Sequence, residues 1–83
     1  MKERFQKIIK FLDGKISRDQ LKSYDDIFSF SDPKTAIECV CTQIDEMEVA
    51  ISKEIFEELD LLCTSSGVDK KQYLKDIEYL VTK

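Results

Sequence analysis

The chain has 83 residues, with 13 Lys/Arg, 17 Asp/Glu, no histidine and a formal charge of −4. That length makes a single domain, residues 1–83, with no room for a second core. A hydrophobic fraction of 42% is too high for a disordered tail, and 2 glycines with 1 proline supply too few turns for an all-β fold. The predicted fold is all-α, a single small bundle of four to five short helices.

The first predicted helix, about residues 2–13, carries Phe5, Ile8, Ile9 and Leu12 at helical spacing and stops at Gly14, a residue suited to a left-handed turn. Lysines break its apolar run and no small-residue cleavage site follows, so it is not read as a secretory signal. The second helix starts at Ser17, with Gln20 completing a capping box and Ile16 and Leu21 spaced as a hydrophobic staple. Leu21, Tyr24, Ile27 and Phe28 form its inner face. Asp32-Pro33 starts the third: aspartate caps, and proline takes the first turn, where no amide hydrogen is missed. Ala36, Ile37, Val40, Cys41, Ile44 and Met47 line one side of it.

Val49-Ala50-Ile51 reads as a short apolar connection. Ser52 caps the fourth helix, which buries Ile55, Phe56, Leu59, Leu62 and Cys63 and stops at Gly67. Asp69 caps the fifth, Gln72 completes another capping box, and Tyr73, Leu74, Ile77, Leu80 and Val81 face inward. Such short connections make sequential helices near-antiparallel neighbours. No segment approaches the roughly 20 apolar residues of a membrane span. The 3 cysteines are an odd number, which points away from a disulfide framework and toward a reducing cytoplasm.

Two stretches invite a chemical reading. "DGKISRDQL", residues 13–21, resembles half of a calcium loop, but the first ligand positions fall on Ile9 and Phe11, which carry no side-chain oxygen. A helix stop followed by a cap explains the same residues. Cys39 and Cys41 point about 200° apart on a helix, and there is no histidine to complete a zinc set. Cys41 and Cys63 read as core residues. No spacing gathers a catalytic constellation, so neither catalytic residues, metal ligands nor a cofactor are predicted.

The charge is segregated along the chain. Residues 1–22 hold 7 basic and 3 acidic side chains, residues 23–60 hold 11 acids against Lys34 and Lys53, and residues 61–83 hold 4 basic and 3 acidic. A central surplus of that size repels nucleic acid and anionic membranes and attracts a basic protein surface. The basic first helix reads as a solvated face too sparse to bind nucleic acid.

The acids concentrate in "IDEMEVAISKEIFEELD", residues 44–60. Asp45, Glu46 and Glu48 fall at the end of the third helix, where the macrodipole is already negative. With the apolar stripe of the fourth helix turned inward, Glu54, Glu57 and Glu58 fall on the opposite side with Leu61 among them and Asp60 at the edge. Most charge runs are merely solvated. These sit where they mildly disfavour folding, around an apolar residue, which is the pattern of a charge-steered interface. On the fifth helix the core stripe turns Tyr79 outward as a further anchor.

"AIECVCTQIDEMEVAISKEIFEELDLLCTSSGVDKKQYL", residues 36–74, resembles the small helical immunity proteins of bacterial polymorphic-toxin systems, the MafI-like type also found beside contact-dependent inhibition toxins. Ala36, Ile37, Glu38, Cys41, Asp45, Glu46, Ile51, Ser52, Glu54, Gly67, Asp69 and Tyr73 carry the resemblance. Met47 and Glu48 depart from it, because family members often place a tyrosine and a second acid near the end of that helix. The resemblance implies a cytoplasmic bacterial protein, not an enzyme, that binds and blocks one cognate toxin domain, often a nuclease. On this reading Asp45, Glu46, Glu48, Glu54, Glu57, Glu58, Asp60, Leu61 and Tyr79 dock on the toxin's basic groove. The alternative is an acidic adaptor or regulatory subunit of a cellular complex. A small transcription-associated module fits the acidic centre less well.

Overall fold

The computed structural model describes residues 2–82. Five α-helices hold most of them: α1, Lys2–Leu12; α2, Arg18–Phe30; α3, Pro33–Glu46; α4, Lys53–Ser66; and α5, Lys70–Ile77. The fold is all-α, as the sparse turns and periodic apolar residues predict.

Local chemistry sets where each helix begins. The Ser17 hydroxyl accepts from the Gln20 amide at 3.3 Å, and Ser52 does the same for Ile55 at 3.2 Å. Asp32 accepts from the Lys34 amide and Asp69 from the Lys71 amide, at 3.1 and 3.0 Å. Each bond satisfies an amide that the first turn leaves without a partner. At Gly14 the chain leaves α1 with φ +89°, a backbone conformation that residues with a side chain rarely adopt.

Helix α1 lies against α2 and α4, while α3 packs on α2, α4 and α5. One core joins them. Phe5, Ile8, Leu12, Ile37, Ile44, Leu59, Leu62 and Ile77 are fully enclosed, each contributing roughly 1.5–3 kcal/mol relative to exposure. Phe5 of α1 stacks on Phe28 of α2 with ring centroids 4.2 Å apart. Cys41 and Cys63 are buried together, as expected; contact with Cys63 and burial push the Cys41 thiol up, so it is a packed neutral group.

The structure departs from the sequence reading in three places. The fifth helix stops at Ile77, not Val81; a single 3₁₀ turn follows over Glu78–Leu80, and Val81–Thr82 becomes a two-residue strand, β2. It pairs in parallel with β1, Ile51–Ser52, matching Ile51 with Val81 and Ser52 with Thr82. The apolar connection before α4 is therefore half of a small sheet, favoured by β-branched side chains on both sides. Met47 was expected on the core face of α3. The helix ends one residue earlier, so Met47 leaves the stripe and is 55% exposed. Ile9, Tyr24, Ile27, Phe56, Tyr73, Leu80 and Val81, expected inside, are half-buried at the margin of the core.

Candidate functional site

The end of α3 is built by two backbone bonds. The Val49 amide donates to the Ile44 carbonyl at 3.0 Å, and the Glu48 amide donates to Asp45 at 3.1 Å. This is the Schellman closure, whose penultimate residue adopts the left-handed conformation usually given to glycine. Here that residue is Glu48, at φ +49°, the only non-glycine with positive φ among the described residues. The end of α4 closes in a related way with the usual residue: Gly67 has φ +75°, and its amide and that of Val68 both donate to the Cys63 carbonyl, the latter at 3.0 Å. Val49 and Val68 are both buried, so the two turns seat alike. One holds glycine and the other a glutamate, for which that backbone costs roughly 1 kcal/mol or more.

Around that turn lie four of the residues singled out from sequence. The Tyr79 hydroxyl donates to Asp45 Oδ1 at 3.1 Å, across 34 positions of sequence. Loss of solvent and then the hydrogen bond to Asp45, with Asp45 and Glu48 adding negative field, raise the Tyr79 hydroxyl above its ordinary value. Glu46 and Glu48 are exposed beside Asp45. Among the described residues none of the three acids makes an ion pair. Tyr79 is 62% exposed, so its ring and the neighbouring Met47 offer apolar surface inside a negative field.

The acids of α4 are placed differently. Arg4 Nη1 meets Glu58 Oε2 at 2.7 Å, and Lys7 Nζ meets Glu54 at 2.6 Å and Glu58 at 3.7 Å. Their mutual hydrogen bond holds Glu54 below and Lys7 above their ordinary values. Lys70 meets Asp60 at 3.0 Å. Glu57 and Leu61 stay exposed between these bridges. Leu61 is thus flanked by charge pairs instead of by one sign, and the expected grouping of Glu54, Glu57 and Glu58 is split, with Glu58 half-buried against α1. The basic first helix is accordingly no plain solvated face: Arg4 and Lys7 supply the counter-charges of α4.

Sequence reasoning missed Met47, because it extended α3 one residue too far. It named Glu38 only within the family resemblance and gave neither it nor Asp76 a site role, yet both line hollows beside α3. Glu38 was legible as an acid two helical turns before Asp45, the first acid of the 44–60 run. Asp76 becomes relevant only through the packing of α5 on α3. The calcium-like stretch is a helix junction: Asp13 accepts from Arg18 at 3.2 Å across it. Among the described residues no group of three or more Cys, Asp or Glu side chains is arranged to hold a metal ion. Among the described residues no helix is long and apolar enough to cross a membrane.

No protein family matches this chain, and neither does any curated protein or solved structure.

Proposed function

We propose that the chain is an immunity-type inhibitor: a small acidic protein that binds the basic groove of one toxin domain, a nuclease being the fitting class, and occludes it. The observation that carries this reading is Glu48. A glutamate stands where glycine would relax the backbone, and it adds a carboxylate with no ion-pair partner among the described residues beside Asp45, Glu46 and Tyr79. Stability is set aside there for charge at the surface. Grooves that hold phosphate are positive, so such a surface is steered toward them and covers them with Met47 and Tyr79 as apolar anchors. The paired acids Glu54, Glu58 and Asp60 form the rim on this reading, with Leu61 and Glu57 as a secondary contact.

The test is co-expression with the protein encoded next to it. The expected result is a stoichiometric complex, loss of the partner's toxicity, and weaker association in salt. If the two neither co-purify nor protect the cell, the inhibitor reading is wrong and the adaptor reading replaces it.

A further inference from the structure

Tyr73 of α5 lies over α3 and separates two hollows. One, of about 340 Å³, runs from Tyr24 on α2 to Tyr73, with Glu38 and Glu46 of α3 along it. The other, of about 190 Å³, has Asp45 and Asp76 on its sides and shares Tyr73 and Thr42 with the first. Each is therefore lined by two acidic residues and Tyr73, and among the described residues no lysine or arginine lines either. Glu38, Asp45, Glu46 and Asp76 make no ion pair among the described residues. The hollow between α1 and α2 differs in kind: its Arg18 is matched by Asp13 and its Asp25 by Gln6.

We propose that the two hollows flanking Tyr73 each receive a guanidinium, so that this surface reads a pair of arginine side chains on a basic partner. A planar guanidinium stacks on a phenol ring while its fork of donors meets carboxylates, whereas a lysine ammonium is a compact, strongly hydrated point charge. The tyrosines feel these acids directly: Glu38 contributes to raising the Tyr73 hydroxyl and Glu46 to raising Tyr24, in both cases after loss of solvent. The proposal rests on reading the acidic end of α3 as a docking surface, and it narrows the partner's chemistry from a sign of charge to a residue type.

The experiment titrates the isotope-labelled protein with a blocked Ala-Arg-Ala-Arg-Ala peptide and with its lysine counterpart, followed by amide shifts. The arginine peptide is expected to move resonances of residues 38–46 and 72–76, and the lysine peptide to bind roughly two- to fivefold less tightly. Glu38→Gln/Glu46→Gln should weaken the arginine peptide about fivefold or more. Tyr73→Leu should erase the arginine preference, and the double glutamine variant keeps the test open if that core-margin substitution unfolds the chain. Glu3→Gln/Asp26→Asn removes the same charge from the exposed surface of α1 and α2 and should change binding by about twofold at most. Shifts spread equally over α1 and α2, equal binding of lysine and arginine peptides, or an equal loss in the Glu3/Asp26 variant would each overturn the proposal. Failure here alongside an intact toxin complex strikes only the arginine site. Peptide binding without any such complex strikes only the inhibitor reading.

Discussion

Glu48 sets stability against surface charge at one position. Replacing it with glycine relieves the left-handed backbone, so Glu48→Gly should raise stability by about 0.5–1 kcal/mol in urea denaturation while slowing partner association. A variant that is less stable would show that the turn is not strained. Tyr79 supplies a second test. Its raised pKa means the folded chain holds the phenol proton more tightly than the unfolded chain does. That contribution is fully present below the unfolded value of about 10.0 and is lost as pH rises through the folded one. Asp45→Asn removes both the acceptor charge and part of the negative field, so Tyr79 should ionise at lower pH while Tyr24 and Tyr73 keep their titrations, read from the ring resonances. The acids of this turn were legible in the sequence, and so was the mismatch of Asp45, Glu46 and Glu48 with the helix dipole. The conformation of Glu48 was not. It depends on α3 stopping at Glu46, and nothing in "DEMEV" resembles a stop signal.

The helices were easier to foresee than their ends. Ser17, Asp32, Ser52 and Asp69 cap as read, because a cap is a contact within a few residues and the side chain itself reveals it. The pairing of β1 with β2 is non-local, since Thr82 Oγ1 donates to the Ile51 carbonyl across 31 positions. Two residues are also too few to show the alternation that marks a strand. This small sheet ties the segment after α5 to the entrance of α4. Val81→Gly should therefore cost about 1 kcal/mol and speed hydrogen exchange in both strands while leaving the middle of α3 protected. Unchanged exchange at Ser52 would mean the pairing contributes nothing to holding α4.

Across the molecule, charge divides into a neutralised and an un-neutralised part. The principal extents are 33 × 27 × 20 Å, and screening at physiological salt acts over roughly 8 Å, so a partner feels the patches separately. Part of the basic surplus of residues 1–22 is committed: Arg4 and Lys7 pair with acids of α4. No reading of local sequence finds that, because Arg4 and Glu58 stand 54 positions apart. Charge reversals at the two places should accordingly part company. Glu58→Lys sets a lysine against Arg4 and Lys7 and should cost stability, about 1–2 kcal/mol by thermal or urea denaturation. Asp45→Lys/Glu48→Lys should leave the fold intact and slow association with a basic partner about tenfold, with a weaker dependence on salt, in surface plasmon resonance. Loss of stability in the second variant, or slowed association without it in the first, would reverse the assignment.

The bridges between α1 and α4 also bear on how descendants of this chain can diverge. A charge change at Glu58 or Glu54 is relieved by a matching change at Arg4 or Lys7, so those positions are expected to drift in pairs. Among the described residues Asp45, Glu46, Met47 and Glu48 have no distant ion-pair partner; the last three are free to change alone, and Asp45 answers only to the Tyr79 hydroxyl. A lineage under pressure to follow a changing opponent would therefore record its history at the end of α3, while the junction of α1 with α4 kept the signature of common descent.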